Sequence, residues 1–356
     1  MNLESLKMIE ELANARGASG FEDEVVSVAR RYAAKIADLK EDKMRNLYLY
    51  RKNNRGDRPV VMLDAHSDEV GFMVHSIRPN GTLRVVNLGR WNYSTLPGSK
   101  MLVRNSEGEW LPAIFANIPA HFRKGNENND LSVSELSLDV GACSKEECST
   151  VFKIRIGEPV VPAATFVCES EKDLLFGKAF DCRIGCAALI ETMKLLADEE
   201  LAVDVVGVLS SQEEVGERGC MVSVNTIKPD VAICFEGCPA DDTFSEDYAI
   251  QTALKKGPMF RHMDVSAIAS PRFQRFILDL AAAKKLAVQE SVREGGGNDA
   301  GVIHTACGGI PAVTVGVPVR YIHTTNCITS YYDFEMTAKV VAETVKALSQ
   351  EIINRF

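Results

Sequence analysis

The chain has 356 residues, 46% hydrophobic and 25% charged, with 40 basic against 49 acidic side chains and a net charge of −9. That length suits one large α/β domain or two domains. The acidic balance excludes a general nucleic-acid binder, which would show a basic face. No apolar run reaches the length of a membrane span.

The opening segment, MNLESLKMIEELANARG, places Leu3, Leu6, Ile9 and Leu12 on one helical stripe. It lacks the basic start and continuous apolar stretch of a signal peptide. Ten cysteines without a CxxC pair suit a reducing compartment, so a cytoplasmic protein is expected. Ser19 and Glu22 have capping-box spacing ahead of a second helix, whose apolar side is Val25, Val28, Tyr32 and Ile36. Val60 to Leu63 reads as a strand running into polar chemistry.

The texture then changes. GFMVHSIRPNGTLRVVNLG is a hairpin pattern with Asn80-Gly81 at its turn. Short β-like runs follow at 100–103, 111–115, 136–140 and 151–156. Residues 73–162 are therefore expected to form a small β-rich module, a barrel or a sandwich. Helix–strand alternation resumes after Ala163. DCRIGCAALIETMKLLADEE carries a helical stripe of Ile184, Ala188, Leu189, Met193 and Leu196. VDVVGVLS, DVAICF and IPAVTVGV are uniformly apolar, as strands buried on both faces are. A last helix is expected from Asp333 to about Asn354. The predicted architecture is an α/β domain of residues 1–72 and 163–356 interrupted by the β insert.

Polar residues gather where the apolar strands end, the edge at which open α/β sheets place their sites. His66 follows one strand, and Asp68, two residues on, projects to the same side and can orient the imidazole. Asp181 opens a helix. Glu213 and Glu214 follow a second strand, Glu236 a third, and His323 a fourth. Adjacent carboxylates repel, so Glu213 and Glu214 call for a cation. Two imidazoles and several carboxylates can hold a pair of divalent metals such as zinc. Two such ions would balance three carboxylate ligands and one hydroxide. Glu214 would then bind metal while Glu213 stays free for proton transfer. Singly, each residue has an ordinary structural role: a hydrogen-bonded histidine, a solvated turn, a helix cap. Only their joint occurrence at successive strand ends points to metal. His75, His121, His262 and His304 are read as structural, and Cys182, Cys186, Cys234 and Cys238 as small buried apolar residues rather than a zinc cluster.

LDAHSDEVGFMV, LDVGACSKEE, FDCRIG, SSQEEVGERG, LKKGP and GGGNDAGVIHTACGGIPAVTVGVPVRYIH together resemble the glutamyl, or tetrahedral (TET-type), aminopeptidases. This is a family of dinuclear metallopeptidases, some of which carry an endoglucanase label. The resemblance implies a phosphorylase/hydrolase-like peptidase domain, with a central mixed sheet flanked by helices, plus an inserted β-barrel used in dimer contacts. Carried over by position, His66 and Glu236 would be terminal ligands of one metal, Glu214 and His323 those of the other. Asp181 would bridge both, Glu213 would be the catalytic carboxylate, and Asp68 would orient His66. The implied activity is hydrolysis of N-terminal residues from short peptides, through a metal-activated water with Glu213 as general base. Zinc is the expected metal, with cobalt or manganese as alternatives. The implied assembly is a homo-oligomer built from dimers, with a dodecamer as its larger form. Competing readings are another metal-dependent amidase or deacylase, a non-catalytic assembly protein of the same fold, and a polysaccharide hydrolase. Departures are Glu236 where relatives often have Asp, Cys182 for Asp or Asn, Asn298 for Thr, and RYIHTTN for RYIHSP. With the loops near Gly295–Asp299 and Phe244–Ile250, the last two bear on substrate preference.

Overall fold

Uniformly apolar strands must be covered on both faces, and the helical segments supply the cover. The computed structural model describes residues 1–117, 121 and 136–356. Helix α1 (Leu3–Asn14) buries Met8, Ile9 and Leu12, and α2 (Asp23–Ala33) buries Val25, Val26 and Ala29. The capping box expected from Ser19 and Glu22 does not form. Helix α2 starts without a side-chain cap because both side chains are engaged elsewhere. Ser19 Oγ donates to Asp68, and Glu22 accepts from the Gly20 and Gln212 amides. Ile36 lies beyond the helix end. Strands β1 (Ala37–Glu41) and β2 (Leu47–Arg51) pair antiparallel, and β3 (Val60–His66) is buried over nearly its whole length.

The chain then leaves the sheet. Strands β4 (Gly71–Ile77), β5 (Leu83–Leu88), β6 (Lys100–Arg104), β7 (Trp110–Phe115), β8 (Leu138–Asp139) and β9 (Pro159–Pro162) close a barrel in the order β4-β5-β8-β7-β6-β9. The barrel has its own core, in which Phe72 stacks on Trp91 and meets Phe115 edge-on. Gly81, at φ +89°, turns the expected hairpin against the Ala142 carbonyl, where a Cβ would come within 2.4 Å of oxygen. The run at 136–140 shortens to β8. The run at 151–156 is not a strand. Ser144 Oγ accepts from the Glu147 amide and the Glu147 carboxylate from the Cys143 amide, a cap that starts α3 (Lys145–Thr150), and Val151 and Ile156 are left exposed on irregular chain.

After the barrel come β10 (Val167–Glu169), β11 (Leu174–Gly177), α4 (Phe180–Leu196), β12 (Asp204–Ser210), α5 (Arg218–Ile227) and β13 (Val231–Pro239). They are followed by β14 (Met259–Met263), α6 (Pro271–Lys284), β15 (Gln289–Val292), α7 (Ala300–Ile303) and β16 (Ala312–Val319), then β17 (Cys327–Thr329), α8 (Tyr331–Ala347) and α9 (Gln350–Ile353). The main sheet runs β1-β2-β12-β3-β13-β16-β14-β15, with β12, β3, β13 and β16 mutually parallel at its centre. Helices α1, α4 and α8 cover one face through Leu12, Leu189 and Phe334, and α5 and α7 the other through Val224 and Ile303. Register aligns Ser210 with His66 and Cys234 with Asp64. The carboxyl ends of the four central strands therefore open at one level. The mixed α/β fold and the closed barrel are those expected from the sequence.

The last helix starts two residues earlier than its stripe suggests and is interrupted. Ser330 caps α8, the chain turns extended at Leu348, and Ser349 caps α9. Asp333 is buried inside the first turn of α8 because it also holds a remote loop. Its carboxylate accepts from the amides of Lys255 (2.6 Å) and Gly257 (2.8 Å) and from Ser330 Oγ (2.9 Å). Asp333→Ala orphans both amides, each at about 1–3 kcal/mol. The urea midpoint should fall by a corresponding amount with an unchanged m-value.

Candidate active site

His66 is the last residue of β3, and the chain beyond it is fixed by charge. The Arg183 guanidinium, fully buried in α4, donates to the carbonyls of Ser67, Leu12, Ala15 and Gly17. Glu69 lies beside it and accepts from Lys178 Nζ at 2.6 Å and the Gly17 amide at 3.1 Å. Asp68 is thereby aimed at the loop after β12. Gln212, at φ +55°, turns that loop with its amide on Glu22. The next two amides, of Glu213 and Glu214, donate to Asp68 at 3.0 and 3.2 Å. One carboxylate thus binds the backbone of two others. Burial alone would raise the Asp68 carboxyl, but His66, Ser19 and the Glu213 amide hold it below its usual value.

Asp181 sits in the first turn of α4, at non-helical φ/ψ and joined to Cys182 by a cis peptide bond. Strand β13 passes so close that a Cβ on Gly237 would lie 2.4 Å from the Phe180 carbonyl. This approach sets Glu236, one residue earlier, beside Asp181. His323 follows β16 at φ +57°. The Asp181 carboxylate lies between two imidazoles. Its Oδ1 is 3.1 Å from His66 Nε2 and its Oδ2 3.3 Å from His323 Nε2. Glu236 approaches His66 Nε2 at 3.7 Å, Glu214 approaches His323 Nε2 at 3.6 Å, and Glu213 lies 3.8 Å from His66 Nε2. Asp68 Oδ1 stands 3.3 Å from the other nitrogen of His66, Nδ1. All seven residues predicted from the sequence therefore meet at one place. Six of them close the floor of a pocket of about 350 Å³, within the usual size range of ligand sites; Asp68 is fully buried behind His66. A broader depression of about 640 Å³ between α1 and α2 holds none of them.

This cluster is anionic and largely buried. Burial, then repulsion from Asp181 and Asp68 against the pull of His323 and His66, raises Glu214 to about 8. Glu213 and Glu236 are raised well above the usual range, chiefly by burial, with their carboxylate neighbours adding to the effect. For the histidines burial acts downward, but the surrounding acids win. His323 is raised to about 9 by Asp181 and Glu214, and His66 is raised by Glu213, Cys182, Asp181 and Asp68. Asp181 is lowered, because its contacts with His323 and His66 outweigh burial. Glu214 Oε1 is buried with no hydrogen-bond partner among the described residues. Donor atoms of His66, Asp181 and Glu214 lie within 4.8 Å of one another, as do those of His66, Cys182 and Glu236. Imidazole and carboxylate donors around an orphaned buried oxygen fit a divalent cation.

His75, His121, His262 and His304 do not line the pocket. His262 contacts Glu290, and His304 contacts the Ala300 carbonyl. Gly295, Gly296 and Gly297 line the pocket as expected, but the loop at 244–250 does not, and Phe244 and Tyr248 face solvent. Asn298 is buried behind the wall on Asp264, Thr314 and the Ala300 amide. Sequence reasoning missed Arg90, Glu217, Arg261 and Arg293, which line the pocket. Arg261 pairs with Asp264 and Arg293 with Asp241. An arginine three residues before an aspartate inside the apolar β14 was the one available signal.

Residues 46–340 match the M42 glutamyl aminopeptidase model, and the chain belongs to that family of peptidases. It is 31% identical over 352 residues to the glutamyl aminopeptidase of Lactococcus lactis subsp. cremoris, covering 98% of each chain. A TET aminopeptidase from a marine sediment Thaumarchaeota archaeon superposes with a TM-score of 0.94 at 32% identity, over 99% of this chain and 98% of that one. The TET1 peptidase of Pyrococcus horikoshii, which can assemble into a tetrahedron or a large octahedral shell, gives 0.86 at 26% identity over 97% and 100%. The family drawn from the motifs is borne out. No helix among the described residues is long and apolar enough to cross a membrane.

The raised groups give a stability prediction with one sign. A group whose folded pKa exceeds its unfolded value stabilises below the unfolded pKa, and that contribution is lost as pH rises through the folded one. Glu214 loses its share between about 4.5 and about 8, and His323 between about 6.5 and about 9. Chelator-treated protein should therefore melt at lower temperature as pH rises from about 5 to about 9. Glu214→Gln should flatten the lower part of that slope, as read by thermal denaturation at several pH values.

Proposed function

We propose that this chain is a metal-dependent aminopeptidase that removes N-terminal residues from short peptides. The observation that carries the reading is the Asp181 carboxylate, whose two oxygens face two different imidazoles, each with a further glutamate beside the same nitrogen. This arrangement supports two adjacent cation sites that would share the Asp181 carboxylate. His66 and Glu236 would hold one divalent ion, Glu214 and His323 the other, with Asp181 between them. Zinc suits these donors best, and cobalt or manganese also fits them. When bound, the ions supply Lewis acidity, lowering the pKa of a water and polarising a peptide carbonyl.

The remaining work belongs to side chains of this chain. Asp68 orients His66 through Nδ1, leaving Nε2 to face the pocket. It also fixes the backbone of Glu213 and Glu214, so that neighbouring carboxylates take different roles. Glu213 is the proton carrier. Burial in an acidic neighbourhood raises its carboxyl, which suits a group that accepts a proton from water and returns it to the departing amine. We assign the inserted module, expected over 73–162, to contacts between subunits of a dimer-based homo-oligomer. Its closed barrel with a separate core and the shell-forming TET1 relative support that role.

Aminoacyl-p-nitroanilides, assayed with zinc, cobalt and manganese, test the reading directly. Glu213→Gln should retain its metal content by elemental analysis and lose about 10²–10⁴-fold in turnover. Wild-type turnover in that variant would refute the assignment. Chelation should abolish hydrolysis, and divalent metal should restore it with two ions bound per chain. Activity on glucans that survives chelation would instead identify a carboxylate-pair glycosidase.

A further inference from the structure

Cys182, Cys186, Cys234 and Cys238 are buried near the site and differ in where their sulfur sits. Cys186 Sγ donates to the His66 carbonyl at 3.0 Å, on the far side of the ligand residue from its imidazole. Cys234 is packed with Met62, Val208 and Val224. Cys238 Sγ meets Arg261 Nη2 at 3.2 Å. Cys182 alone of the four shares a donor set with the cluster, its Sγ lying within 4.8 Å of donor atoms of both His66 and Glu236. All three residues are buried, at 0%, 2% and 6% exposure. The Cys182 thiol donates at 3.2 Å to the carbonyl of Phe235, the residue before Glu236. Gly185 gives the sulfur its room, since a Cβ there would come within 2.4 Å of it.

Imidazole, carboxylate and thiol within one small volume form a mixed nitrogen, oxygen and sulfur donor set. Carboxylates alone favour magnesium and manganese, whereas a thiolate selects soft and borderline ions. We propose that Cys182 ligates the cation held by His66 and Glu236, making that half of the site selective for thiophilic divalent ions, zinc and cadmium, over manganese and magnesium. The inference rests on the metal-site reading above. Ligation breaks the S–H bond heterolytically. The electron pair forms the sulfur–metal bond, the proton leaves to solvent, and no oxidation state changes. The contact to the Phe235 carbonyl is given up in the process.

The test uses the full-length protein, stripped with chelator and reloaded with Co²⁺, a spectroscopic stand-in for zinc. Bound cobalt is counted by elemental analysis. Wild type and the control Cys186→Ser should show a thiolate-to-cobalt charge-transfer band in the near ultraviolet. Cys182→Ser and Cys182→Ala should lose it while still binding cobalt. In competition, the wild-type preference for Cd²⁺ over Mn²⁺ should shrink in both Cys182 variants. Two bound cobalt ions without the band in wild type would overturn the proposal and leave the metal site standing. A band that persists in both Cys182 variants would overturn it in the same way. Wild type that binds no cobalt would overturn both readings. Because the wild-type spectrum alone decides whether a thiolate is bound, the test survives a variant that fails to fold.

Discussion

Four carboxylates crowd the carboxyl ends of four parallel strands, and their mutual repulsion is the constraint around which the molecule is organised. Asp181, Glu213, Glu214 and Glu236 line one pocket, where His66 and His323 oppose them at close range and Arg261 acts on Glu236. Burying unpaired charge is expensive, so the surroundings work to hold the acids in place. Asp68 receives two backbone amides, Ser19 and Glu22 abandon a helix cap to brace the loop, and a glycine admits β13 against α4.

Most of the fold was legible because its signals are local. Uniformly apolar runs marked the central strands, Asn80-Gly81 marked the hairpin, and a change of texture marked the barrel. The failures share a cause, which is that a side chain can serve only one partner. Ser19 and Glu22 carry capping-box spacing, yet their partners lie near positions 68 and 212, far away in sequence. A related cap forms at Ser144–Glu147, where it starts a helix just ahead of the run expected to be a strand. Asp333 looked like a helix start because its neighbours are periodic. Its carboxylate in fact belongs to the Lys255–Gly257 turn as well.

The site was legible in a different way. Apart from Asp181, which opens α4, each ligand-type residue lies at or near the end of an apolar strand, and parallel pairing brings such ends together whatever their separation along the chain. The register of Ser210 with His66 is what turns that rule into a cluster. The walls were not legible. Arg90, Glu217 and Arg293 come from loops whose paths depend on packing, and nothing in their own neighbourhoods distinguishes them from solvated surface charge. Cys182 was readable as a small apolar filler, and only the course of β13 shows its sulfur beside Glu236.

The barrel is rooted close to the chemistry. Strand β4 begins five residues after His66, the Trp91 indole donates to the Gly71 carbonyl, and Gly89 passes so near Glu214 that a Cβ would come within 2.9 Å of its Oε2. A side chain at position 89 would have to displace Glu214, so the barrel wall limits where that acid can sit.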